Sequence, residues 1–317
     1  MIDFRYHLVS IVSIFLALAV GIVLGAGPLK ESIGDTLTSE VTQLRQDKAD
    51  LRAELDAADK GTSARDSFTA EVAPQLVSEN LKGSSVAVLT LPSADAAVIR
   101  DTERVLRDSG ATVASTTAVT EAWTTADAAA QREHAALADR LAREAGLAAG
   151  GSDAEPLDRV LAAALTRNAA TRTGGPEADA VLTELADAGL VERDDRDTAQ
   201  ADFGVVVAGL VTEGDAERST GVATRYAELS AEVDAASRGA VLVSDVGVAG
   251  AADAASVVRV ARGDDATAAV LSTVDDGSIP MGRVSVAWAL VQQRDGGVGH
   301  YGLDEGATAA YPPVPEP

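Results

Sequence analysis

The sequence predicts an α/β protein on a membrane anchor. Three observations carry that expectation: an uncharged apolar run at residues 8–27, a heptad repeat just after it, and Val-rich runs alternating with amphipathic periods from residue 85 onward. At about 1.5 Å per residue the apolar run reaches about 30 Å, the thickness of a bilayer's hydrocarbon core. It is longer than the apolar core of a secretory leader and follows no strong positive cluster, so a retained transmembrane helix is expected. Gly25-Ala26-Gly27 would also serve as a small-residue cleavage site. Arg5 before the run and Lys30 after it balance, so the positive-inside rule is silent. A short segment at residues 1–7 ahead of one early span implies a cytoplasmic N-terminus and an extracytoplasmic bulk.

Within the span Ser13, Ala17, Gly21 and Gly25 recur every four residues and share one helix face. Gly21 and Gly25 form a GxxxG motif, which lets two backbones approach closely, although glycine is also simply common in membrane helices. Residues 28–62 read as a coiled-coil neck, with Leu37, Leu44, Leu51 and Ala58 at d and Gly34, Val41, Lys48 and Leu55 at a. In a parallel dimer Glu40 would meet Arg45 of the partner helix, and Asp47 would meet Arg52, both attractively, whereas Glu54 and Asp59 repel. Lys48 in the seam costs stability and disfavours higher oligomers. The alternative is an amphipathic helix lying on its own domain.

The body, residues 63–303, is large enough for one big domain or two small ones. A net charge of −23 argues against nucleic-acid binding and against a body lying flat on anionic lipid. There are no cysteines, hence no disulfides, and aromatics are 3%, so Ala, Val and Leu must build the core. Residues 85–91 read as a buried strand, 94–109 as a helix closed by Gly110, and 111–119 as a second strand, a βαβ unit. The pattern resumes with strands at 203–211, 240–246 and 268–274 and helices at 219–237, 251–261 and 280–293. Residues of about 124–190 lack strands and read as a helical insertion of three Ala-rich helices, and 304–317 as a Pro-rich tail, disordered or extended. Continuous Val-rich strands separated by helices mean a mostly parallel, Rossmann-like sheet covered on both faces.

Catalytic signatures are missing. The turn at 91–96 (LPSADA) lacks the glycines that admit a pyrophosphate, and neither a Walker A sequence nor a GxSxG elbow occurs. The three histidines, His7, His134 and His300, are far apart, and Met1 and Met281 are the only methionines, so soft ligands for Cu(I) are scarce. His134 reads as solvated, His300 as a turn or packing residue, and Arg262-Gly263-Asp264 as a chance adhesion tripeptide. Asp245, Asp275 and Asp276 fall at the carboxyl edge where open sheets bind ligands, although helix capping and loop solvation explain them more simply. No catalytic group, cofactor or resident metal is expected.

The opening MIDFRYHLVSIVSIFLALAVGIVLGAGPL resembles the start of the actinobacterial envelope family of mycobacterial copper transport protein B (MctB). The closing VDDGSIPMGRVSVAWALVQQRDGGVGHYG resembles that family's C-terminal signature, here including Gly282, Arg283, His300, Tyr301 and Gly302; the middle diverges. The resemblance implies two functions. One is copper homeostasis or efflux. The other is that of the corynebacterial member SteB, which partners SteA in a membrane complex promoting a peptidoglycan hydrolase during daughter-cell separation. One span encloses no conducting path alone, and the body lacks the alternating ten-residue strands of an outer-membrane barrel. The expected role is therefore a non-enzymatic, plasma-membrane scaffold, a homodimer or a complex with a SteA-like protein. Copper handling is the first alternative, and an exported enzyme with a sheet-edge site the second.

Overall fold

The computed structural model describes residues 4–26, 28–145, 147, 155–167, 176–193, 200–245 and 253–315. The apolar run forms helix α1 (Phe4–Ala26), and the heptad region forms helix α2 (Pro28–Val77). Two units are present, Met1–Arg65 and Asp66–Pro317, and their boundary falls inside α2. The helix thus runs beyond residue 62, where the neck was expected to end. Gly61 weakens but does not break a helix flanked by good formers, and Val77, fully buried, fastens the last turn to the core of the second unit.

In the second unit strand β1 (Ser85–Thr90), helix α3 (Ala96–Asp108) and strand β2 (Thr112–Val119) make the expected βαβ unit. Asp95 starts α3 by accepting the amides of Ala97 and Val98, and Gly110, at φ +83°, ends it in a conformation costly for any other residue. After a 3₁₀ turn (Glu121–Thr124) come helices α4 (Ala128–Glu144), α5 (Pro156–Leu165) and α6 (Pro176–Asp187) and the short strand β3 (Val191–Arg193). The chain continues through β4 (Phe203–Ala208), β5 (Leu210–Val211), α7 (Ala216–Ala235) and β6 (Ala240–Ser244). It closes with β7 (Ala255–Ser256), α8 (Val257–Gly263), α9 (Asp265–Ala268), β8 (Ser272–Val274), α10 (Pro280–Arg294) and β9 (His300–Tyr301).

Seven strands pair in the order β3-β2-β1-β4-β6-β8-β9, all parallel except β3, which runs antiparallel to β2. Side-chain alternation sorts the core into two layers. Val86, Val88, Val205, Val207, Val241 and Val243 face one side, with α3, α10 and the end of α2. Ala87, Leu89, Val206 and Leu242 face the other, with α4 to α8. Both faces are covered, which is why these strands read as continuous apolar runs.

Several boundaries differ from expectation. The strand expected at 203–211 breaks at Gly209, and β5 leaves the main sheet to pair with β7. A Cβ at Gly209 would lie 1.8 Å from the carbonyl oxygen of Ser93, so only glycine lets the two loops meet there. The strand expected from 268 begins at Ser272, because Asp264 caps the extra turn α9 through the amide of Thr267. Of the helix expected at 251–261, residues 251 and 252 lie outside the described residues; Ala255 and Ser256 are strand, and Ser256 caps α8. Strands β3 and β9 were not expected. The tail is not simply extended: Ala309 bridges to Tyr301, and the amide of Thr308 donates to His300 at 2.8 Å.

Candidate functional site

On α1 the hydroxyl of Ser13 donates to Val9 O at 2.8 Å, so the helix satisfies its own polar group. With Ala17, Gly21 and Gly25 it lies on one exposed face, and at either glycine a Cβ would meet nothing within 4 Å. On α2 the heptad residues Leu37, Leu44, Leu51 and Leu55 are 60–69% exposed and Val41 40%. Lys48, Glu40, Arg45, Asp47 and Arg52 are exposed beside them; Asp47 accepts an amide hydrogen bond from Gln43 at 2.8 Å.

The second place of interest is the carboxyl edge of the sheet. Strand order reverses between β1 and β4, the position where open sheets hold ligands. A crevice of about 220 Å³ lies there, lined by Ser93, Asp95, Gly209, Ser244 and Asp245 among others. The α3 amides that could meet an anion are already held by Asp95, at 2.6 and 3.2 Å.

Farther along the edge the acidic pair departs from expectation: Asp275 and Asp276 are buried, neither solvated nor capping a helix. Asp275 is the hub of a clamp. Arg262, its side chain 3% exposed, donates to Asp275 at 2.6 Å, to Thr273 Oγ1 at 2.9 Å and to Tyr301 O at 2.8 Å. The amides of Leu303 and Asp304 donate to the same carboxylate at 2.7 and 3.1 Å. Arg262, part of the supposed adhesion tripeptide, is thus an internal tie. Gly302 is required because a Cβ there would lie 2.1 Å from Asp275 Oδ1. His300 Nδ1 lies 3.0 Å from Thr273 Oγ1, and burial, then the Arg262 charge, push its pKa below the ordinary histidine value.

Asp276 differs from its neighbour: neither carboxyl oxygen has a hydrogen-bond partner. Burial, reinforced by the charges of Asp275 and Asp245 and only partly offset by its own amide and by the Arg262 charge, pushes its pKa to about 7. Gly282 brings the first turn of α10 against it, since a Cβ there would lie 2.0 Å from Asp276 O. Arg283 pairs with Asp101 on α3 at 2.9 Å. Gly282, His300, Tyr301 and Gly302 therefore gather around Asp275 and Asp276, a grouping that spacing alone did not reveal, whereas Arg283 turns to Asp101. Asp245 remains exposed and accepts from Ser278. His134 is half-buried rather than solvated, at the rim of a separate cleft between α4 and α7. Among the described residues no three His, Cys, Asp or Glu side chains form a group able to hold a metal ion.

The family model described as "Copper transport outer membrane protein, MctB" matches residues 1–312. The chain is 31% identical over 313 residues to a protein named copper transporter MctB in Mycobacterium tuberculosis (strain ATCC 25618 / H37Rv), covering 97% of this chain and 98% of the relative. It is 28% identical over 330 residues to the protein of that name in Mycobacterium leprae (strain TN), covering 99% of this chain and 100% of the relative.

Proposed function

The chain belongs to the MctB family of envelope proteins, and from that premise we propose that it is a single-pass, dimeric scaffold of the plasma membrane. It works with a SteA-like membrane protein to promote a peptidoglycan hydrolase during daughter-cell separation, and has no catalytic chemistry of its own. The observation that carries this reading is the exposed leucine stripe of α2. Apolar side chains at heptad spacing beside alternating charges call for a second helix. Two weak hydrolase-binding surfaces on one dimer raise each other's effective concentration, so modest contacts suffice for recruitment.

Leu44→Asp together with Leu51→Asp should reduce the full-length protein to a monomer by light scattering, with the second unit still folded. In cells the double variant should be made and exported normally yet leave daughter cells attached. Unchanged oligomer mass would reject the pairing. Full rescue by the second unit exported without α1 and the neck would reject the tethering.

Copper handling is the second reading, favoured by the relatives' printed names. Under the scaffold reading, titration of the full chain with Cu(I) shows no stoichiometric site. A tight site lost on His134→Ala or His300→Ala would reverse the ranking.

A further inference from the structure

The cleft at the rim of which His134 sits encloses about 780 Å³, a volume typical of small-molecule sites. It opens where the 3₁₀ turn leaves the carboxyl end of β2, with α4 as one wall and the first turns of α7 as the other. Its floor is apolar: Trp123 and Leu157 are buried, and Val222 adjoins them. Asp158, fully buried behind that floor, accepts the Trp123 indole N–H at 3.0 Å and an Arg225 N–H at 2.9 Å. This one carboxylate fixes an aromatic edge and a guanidinium from different elements, so the cleft is preformed.

Its rim carries opposite charges: Arg218, with Asp215 and Glu217 near it on the same wall, and Glu155, whose charge also acts on Arg225. Arg218 meets Glu213 only at 3.9 Å, outside hydrogen-bond distance, and its side chain is 45% exposed. Glu155 stands at the start of α5 but caps none of its amides. Between Arg218 and Arg225 lies Gly221, in mid-helix, where propensity favours alanine. A Cβ there would meet nothing within 4 Å, so packing does not require the glycine; its effect is to leave helix backbone open to the cleft.

We propose that this cleft binds a short extended peptide carrying both a carboxylate and an ammonium group. Arg218 takes the carboxylate through its planar fork, and Glu155 takes the ammonium. The intervening apolar part lies on Trp123, Leu157 and Val222. An extended peptide of about three residues reaches roughly 10 Å from terminus to terminus. The site does not depend on pairing through α2 and stands whether or not the scaffold reading does.

The chain has two tryptophans, so Trp288→Phe leaves Trp123 as the sole indole reporter in full-length protein held in lipid nanodiscs. The probe is the tripeptide Ala-Leu-Ala with free termini, set against N-acetylated, C-amidated Ala-Leu-Ala. We expect a saturable change in Trp123 emission with the charged peptide alone, weakened at least tenfold by Arg218→Ala and by Glu155→Gln. Calorimetry on protein with Trp288 intact should give the same ranking. No saturable binding, an equal response to the neutral peptide, or affinity unchanged in both variants would overturn the assignment.

Discussion

Asp276 is a carboxyl group held in the interior with neither oxygen hydrogen-bonded and its pKa raised to about 7 by burial and by the neighbouring acids. A group that binds its proton more tightly when folded adds stability below the unfolded carboxylate value, near 3.8, and loses it as pH rises through about 7. Over that window the loss approaches about 1.4 kcal/mol per pH unit. Asp276→Asn cannot titrate, so its unfolding free energy should fall less between pH 5 and pH 8 than the unsubstituted protein's; parallel urea-denaturation curves at both pH values would refute this. Gly282→Ala should cost roughly 1–3 kcal/mol, because the new methyl meets fixed backbone rather than a movable side chain. These residues could be read individually, yet their grouping could not. Arg262 and Asp275 lie 13 positions apart, and nothing in either neighbourhood signals that a guanidinium will be buried against a carboxylate. Asp158 was equally silent, since its partners come from the 3₁₀ turn and from α7.

At the level of elements, the long strands and helices were legible because burial on both faces leaves no polar residue in β4 and confines those of β1 and β6 to the strand ends, at Ser85, Thr90 and Ser244. Short strands were not. β3 has three residues and β9 two, too few for any periodicity, and both exist only because a neighbouring edge offers hydrogen bonds. The heptad seam makes its own prediction. Lys48→Leu removes the charge from an a position, so association through α2 should strengthen and species larger than a dimer should appear in sedimentation; no change would place the seam elsewhere. Gly221→Ala in α7 should raise stability by about 0.5–1 kcal/mol, since the added methyl meets no neighbour. A melting temperature lowered by that change would mean that the glycine is structurally needed.

For the whole molecule, Asp158 and Asp234, each raised to about 6 chiefly by burial, act in the same direction as Asp276. The net charge of −23 also becomes less self-repelling as carboxylates protonate. Asp202 opposes them: despite burial, its bonds to Ser85 and Arg167 hold it below the ordinary aspartate value, so its contribution is lost only in stronger acid. The melting temperature should therefore rise from pH 8 to pH 5, and calorimetry in high salt should preserve part of that rise, because screening reaches surface charge but not buried carboxyls. A flat or falling profile would contradict this. The return of the tail along β9 carries one more consequence. A parallel sheet of this kind ends in open rows of amides and carbonyls, and such margins recruit strands from other chains. At one margin β3 is only three residues long; at the other, Thr308 and Ala309 occupy the hydrogen-bonding positions of His300 and Gly302. The tail thus acts as a built-in blocking strand. Cutting the chain after Gly302 would leave a self-templating border, seen as concentration-dependent, thioflavin-positive aggregation that the intact chain does not show.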